Sequence, residues 1–332
     1  MLPKDLKLSR RRFMRYSFAG LAFIAAGSFI FRSRALFAQS GTANGRPKKK
    51  IKGDHDLVCV RAAPDRGAPP SVDPYSMTVK AINAMGGMER FVKKGGTVVV
   101  KPNIGWDRTP EQAANTNPLV VAAVVELCFK AGAKKVNVFD NPCNDPRRCY
   151  DSSGIREAAK SKGANVFFPD LKDTVAAKFS YESPMEGWPI LRAALECDTF
   201  INVPVLKHHG LPGLTLSMKN LMGICSGNRG LMHDGLGRKI VDLTDFINPE
   251  LTVIDGIKYL ERHGPTGGNT SDVRELNTVI VSTDPTLADA YASAAAGKDP
   301  LFLENVRIAA KRKLGNADIG KADILVMDPR LV

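Results

Sequence analysis

The chain has 332 residues, with 47 Lys and Arg against 34 Asp and Glu, six Cys and 44% hydrophobic residues. That size and apolar content suit a single large domain or two intimately packed α/β lobes, and exclude disordered, collagen-like and coiled-coil architectures. The net charge of +13 gathers at the N-terminus, +7 in residues 1–38 and +5 in 39–53, so the body at +1 has no bulk electrostatic footprint for nucleic acid.

Ser9, Arg10, Arg11, Arg12 and Phe13 precede an uncharged run from Tyr16 to Phe31. At 16 residues that run is shorter than the roughly 20 needed to span a bilayer as a helix. A basic start, a short apolar stretch and a small residue at Ala38 describe a secretory signal, and the paired arginines resemble the twin-arginine translocation pattern. Proteins with such signals cross the membrane folded, often with a cofactor already inserted. The sequence therefore implies the twin-arginine machinery as a partner and a periplasmic or extracellular destination. Membrane contact is expected only through the signal, should it stay uncleaved. Leu36 fits poorly three positions before a new terminus, which leaves cleavage or anchoring open. Residues 39–53 read as a basic flexible linker, and 54–332 as the folded domain.

In chain order the body predicts a strand at 56–61, a helix at 77–92 and a strand at 97–101. The unbroken apolar run Thr97–Lys101 is the mark of a strand covered on both faces. Asn117 before Pro118 sets an N-cap and first helical residue, for a helix ending near Lys130. Further strands are expected at 136–139, 166–168, 199–205, 251–254, 278–282 and 323–327. Helices are expected at 153–162, 189–197, 217–222, 240–246, 286–296 and 301–313. The alternation predicts an α/β fold with a mostly parallel sheet flanked by helices.

Ligands in such sheets sit at the carboxyl ends of strands. That rule selects Lys101 and Asn103, Asp140 and Asn141, Lys207, His208 and His209, and Asp255. Lys101, Lys207 and Lys219, with Asn103 and Asn220 beside two of them, suit a carboxylate or phosphate, since a lysine at an apolar strand end needs an anionic partner. The competing account of each lysine is a side chain that snorkels to solvent. His209, His233, Asp234 and Asp140 are candidate metal ligands, although their spacing matches no established motif. Adjacent histidines in an extended segment point to opposite sides, so one of 208 and 209 at most faces a given site.

Cys59 and Cys128 sit in apolar runs and read as core, whereas Cys143 and Cys149 bracket a loop and suit a disulfide in an oxidising compartment. No C-x-x-C is present, so an iron–sulfur cluster would need scattered ligands. The glycine-rich stretch 223–237 suits either phosphate wrapping or a lid, and it matches no nucleotide-binding signature.

Three blocks then resemble a known family: Val98–Asn103 (VVVKPN) with Asn115–Pro118 (NTNP) and Ala131–Ala133; Asn202–His208 (NVPVLKH) with Leu216–Gly223 (LSMKNLMG); and Asp255-Gly256. In this order, over roughly residues 56–300, they resemble the domain-of-unknown-function 362 family of bacterial and archaeal α/β proteins. Some members of that family also carry ferredoxin-like cysteine motifs, which this chain lacks. The resemblance implies a single site built from Lys101, Asn103, Lys207, His208, Lys219, Asn220 and Asp255.

The combined reading is an exported enzyme with a lysine-lined site for an anionic small molecule. Lys101, Lys207 and Lys219 hold the anion or stabilise negative charge, His208 acts as general acid/base, and Asp255 orients a lysine or binds a cation. The alternative is a metal, iron–sulfur or redox accessory protein that carries or inserts a cofactor.

Overall fold

The computed structural model describes residues 41–48, 51–62 and 72–330. The export-signal residues, Arg10, Arg11 and Arg12 among them, lie outside the described residues.

The first described element is a short strand, β1 (Thr42–Asn44), followed by β2 (Leu57–Arg61) and helix α1 (Pro74–Ala84), whose N-terminus is capped by the Asp73 side chain. Next come β3 (Thr97–Pro102), α2 (Pro118–Lys130) with Asn117 as its cap, and β4 (Lys135–Val138). Two short helices, α3 (Pro146–Ser152) and α4 (Ile155–Ser161), lead to β5 (Asn165–Val166), β6 (Thr174–Lys178) and β7 (Pro189–Leu191). Strand β8 (Thr199–Val203) runs almost directly into β9 (Val205–His209), which turns back as β10 (Gly213–Thr215). Helices α5 (Ser217–Asn220) and α6 (Leu236–Ile247) precede the long strands β11 (Leu251–Leu260) and β12 (Val273–Ser282). The chain closes with α7 (Pro285–Ala295), α8 (Glu304–Lys311) and β13 (Ile324–Met327).

Ten strands form one sheet in the order β13-β2-β12-β11-β8-β3-β4-β5, with β9 paired to β11 and β10 to β9. The run β11-β8-β3-β4-β5 is parallel throughout, while β12 lies antiparallel to both β11 and β2. Successive side chains along β3 enter opposite cores. Val98 and Val100 pack with α1, α2 and α4, and Val99 packs with α6, α7 and α8. A sheet buried on both faces needs apolar residues at every position, which is why β3 lacks alternation. Each of these fully buried valines contributes on the order of 1.5 kcal/mol through burial alone.

Several sequence expectations change. The segment 189–197 is not a helix: Pro189–Leu191 is a strand and Arg192–Ala194 a single 3₁₀ turn. The stretch expected as a loop at 206–214 is the β9–β10 hairpin, with Lys207 opposite Thr215. The helix expected at 153–162 is present as α4 from Ile155 to Ser161, and Gly154, with a left-handed φ of 70°, separates it from an additional helix, α3. Residues 41–48 are folded instead of acting as a tether. Thr42–Asn44 pairs in parallel with β6 in a three-stranded sheet with β7, and Arg46 is buried in an ion pair with Glu250 at 3.0 Å. Composition suggested a linker because the same cations that solvate a tether can also be spent on buried acceptors. Among the described residues no helix is long and apolar enough to cross a membrane.

Candidate functional site

The carboxyl ends of β3, β4 and β9 meet α5 and the loop after it around a cleft of about 640 Å³. Its floor is a saturated polar network. The Lys101 ammonium, at 0% exposure, lies 2.8 Å from Asp140 Oδ1 and also donates to the Pro102 carbonyl at 2.8 Å and Asn220 Oδ1 at 3.0 Å. Burial lowers the Lys101 pKa, with the Asp140 charge working against that. Asp140 in turn accepts from the Ile104 and Asn141 amides at 2.7 and 2.9 Å. Asn220 Nδ2 donates to Asn202 Oδ1 and the Lys101 carbonyl, and Asn103 Nδ2 donates to Asn220 Oδ1. Gly223 closes over this network: a Cβ there would lie 1.8 Å from Asp140 Oδ1 and 2.7 Å from Lys101 Nζ, so the backbone's approach requires glycine.

The wall differs. Lys207, 1% exposed, donates only to neutral oxygens, the Ala114 carbonyl at 2.5 Å and Asn103 Oδ1 at 3.1 Å. Lys219 is half-buried and has no hydrogen-bond or ion-pair partner among the described residues. Arg229 donates to the Asn141 and Pro142 carbonyls at 2.7 and 2.9 Å. Four cations thus line a cleft in which Asp140 is the one lining carboxylate. Desolvation, together with the neighbouring Lys219 ammonium, lowers the Lys207 pKa to about 7, and desolvation lowers that of Lys219 to about 8. Either amine therefore exchanges a proton near neutral pH.

The helix that carries Lys219 and Asn220 is anchored from below. Asp289 accepts from Ser217 N at 2.7 Å, Ser217 Oγ at 2.5 Å, Met218 N at 3.3 Å and Asn305 Nδ2 at 3.3 Å. Burial pushes its carboxyl up to about 7.

Most of the selected residues converge here: Lys101, Asn103, Asp140, Lys207, Lys219 and Asn220 all line the cleft. Two do not. His208 lies on the other side of β9 from Lys207, where its Nδ1 accepts from the Gly264 amide at 3.1 Å, whereas His209, two residues beyond Lys207, lines the cleft. Burial, then the Lys219 charge, lowers the His209 pKa to about 3, so it is a neutral imidazole at physiological pH. Asp255 is also absent from the lining. Strand β11 continues past it to Leu260, and its buried carboxylate accepts from the Asn117 amide at 2.7 Å and the Ile257 amide at 3.0 Å. It ties the start of α2 to the sheet, and burial pushes its pKa up to about 6.

The candidate metal ligands do not assemble. Asp140 is taken by Lys101, Asp234 is exposed, and the His209 and His233 rings lie 5.9 Å apart. Among the described residues no three side chains of His, Cys, Asp or Glu come together as a metal cluster. Cys143 and Cys149 are both free thiols, Cys143 at the cleft and Cys149 buried in α3. Sequence reasoning missed Arg229, Trp106 and the supporting Asp289. The glycine-rich stretch hid the first, and nothing local distinguishes Asp289 from a surface helix residue.

The profile of the family described as "Domain of unknown function (DUF362)" matches residues 98–294. A thylakoid-associated protein of Synechocystis sp. is 30% identical over 250 residues, covering 70% of this chain and 73% of its own. Among solved structures, the lactate racemase apoprotein from Thermoanaerobacterium thermosaccharolyticum matches with 12% identity and a TM-score of 0.44, covering 76% of this chain and 61% of its own. A Thermotoga maritima protein matches with 10% identity and a TM-score of 0.34, covering 72% and 60%. The chain thus spans less than two thirds of the solved chains it matches.

Proposed function

The chain belongs to the DUF362 family, and on that premise we propose that it is an enzyme acting on a small anionic molecule, a carboxylate or phosphate. One observation carries the proposal: Lys207, Lys219 and Arg229 face a single cleft whose one lining carboxylate, Asp140, is already paired with Lys101. Buried cations are costly unless paired, and an anionic ligand would supply the pairing. Lys219, unpartnered, is the group that meets the anion, and Lys207 is poised behind it. Because an ammonium with a pKa near 7 can give or take a proton at physiological pH, the acid/base role falls to Lys207 in place of His208. The neutral His209 orients the ligand by hydrogen bonding.

The paired Arg10 and Arg11 support export as a folded protein through the twin-arginine machinery, to the periplasm or cell exterior. Titration calorimetry of the chain with inorganic phosphate and with malonate, against a sodium chloride control, tests the site. Saturable binding of either anion is expected, and no heat from both would overturn the reading.

A further inference from the structure

The lysine cleft shares a wall with a second cavity. His209, Leu211 and His233 line both, and the second has a volume of about 720 Å³. The two are chemically unlike. The first is cationic. The second has a buried floor of Leu236, Gly237 and Ile240, with Phe302 at its side and the Glu304 carboxylate beside Gly237. The Arg307 guanidinium at its edge is occupied, its Nη1 donating to the Leu301 carbonyl at 2.5 Å and the Phe302 carbonyl at 2.8 Å.

Two further features of this cavity bear on the shape of a ligand. Gly210 and Gly213 take side chains out of its wall, and the Phe302 ring lies so close to the hairpin that a Cβ on Gly213 would fall 2.4 Å from it. Leu211, at the hairpin tip between the cavities, is 73% exposed, which leaves a large apolar side chain for a ligand to cover. Imidazole and phenyl faces beside a backbone wall favour a flat apolar body over a branched one.

We propose that the two cavities form one bipartite site, and that its ligand is an anion carrying an aromatic ring. The anionic group lies against Lys219, and the ring passes His209 and Leu211 into the second cavity. This rests on the anion-binding reading and adds the class of substrate.

The test compares methyl phosphate with phenyl phosphate, and acetate with phenylacetate, by titration calorimetry on the full chain. The two pairs distinguish a phosphate head from a carboxylate head. The phenyl member of at least one pair is expected to bind about tenfold more tightly than its partner. A Gly210→Trp variant, with no atom within 4 Å of its new Cβ, adds a bulky ring at the rim of the second cavity that Gly210 helps to line. It should remove that tenfold increment and leave the affinity for the methyl or acetate member within twofold. Equal binding of phenyl and methyl members in the unaltered chain would overturn the bipartite site while sparing the anion reading. An increment that survives Gly210→Trp would likewise overturn it. No binding by any of the four probes would overturn both.

Discussion

The floor and the wall of the cleft bury lysines in opposite ways. On the floor, Lys101 has a carboxylate, a carbonyl and an amide oxygen, all within 3.0 Å. On the wall, Lys207 has two neutral oxygens and Lys219 has no partner among the described residues. An ion pair whose hydrogen bonds are all made is a fixed part of the scaffold. A buried cation left with excess charge lowers its own pKa and lets a ligand restore the ammonium. Identical residue types thus sit in opposite electrostatic settings within one cleft, and the placement of carboxylates decides which.

This contrast can be broken by substitution. The largest effect is expected at the floor. Lys101→Met leaves Asp140 buried without its cation and should cost about 3–5 kcal/mol, lowering the melting temperature by on the order of 10 °C. A melt within 2 °C of the unaltered chain would place Lys101 among the ligand groups instead.

Next is the wall. Lys219→Met should lower affinity for whichever anion binds by about 100-fold, about 2.7 kcal/mol. Because no partner loses a bond, the melting temperature should move by less than about 2 °C. A large destabilisation with unchanged affinity would reverse the roles of floor and wall.

The pH dependence of the wall follows from the depressed pKa values. A bound anion favours the charged amine, so binding takes up protons when Lys207 and Lys219 are neutral in the free protein. Affinity should therefore be highest below about pH 7 and fall as pH rises through about 7 and 8. For stability without ligand the sign is opposite. A folded-state lysine pKa below the unfolded value makes the fold bind fewer protons, so stability should rise between about pH 7 and 10 from this group. Titrations and melts from pH 6 to 9 check both slopes, and Lys207→Met should flatten the second.

The smallest effect separates the two histidines. His209→Gln should weaken anion binding by about threefold, while His208→Gln should change it by less than about twofold, since its ring faces Gly264. The reverse order in a titration series would restore His208 to the site.

Much of this site was legible from sequence because a parallel sheet exposes its chemistry at strand ends. Lys101, Asn103, Asp140 and Lys207 follow from apolar runs that stop at polar residues. The choice between His208 and His209 was also open to parity: in an extended strand Lys207 shares a face with His209. Adjacency to Lys207 in sequence obscured this. Asp255 misled for a different reason. The strand was read as ending at Ile254, yet β11 passes through a bulge between Gly256 and Lys258 and continues, which turns an apparent strand end into mid-strand. Asp289 and Arg229 were not legible at all. Both reach the site through partners more than 70 residues away in sequence, Ser217 for Asp289 and Asn141 for Arg229, for which a single sequence holds no local trace.

The clamp between Arg46 and Glu250 also bears on how the gene is to be cut for expression. Composition changes near residue 54 and invites a start there, but that cut would strip β1 from its sheet and remove the guanidinium from a buried carboxylate. Glu250 also receives the Phe200 amide at 2.7 Å, so its orphaned charge would sit at the start of β8 and β11, two central strands of the main sheet. A recombinant protein intended to fold should begin ahead of Thr42, and a purification tag is better joined at the far end of the polypeptide.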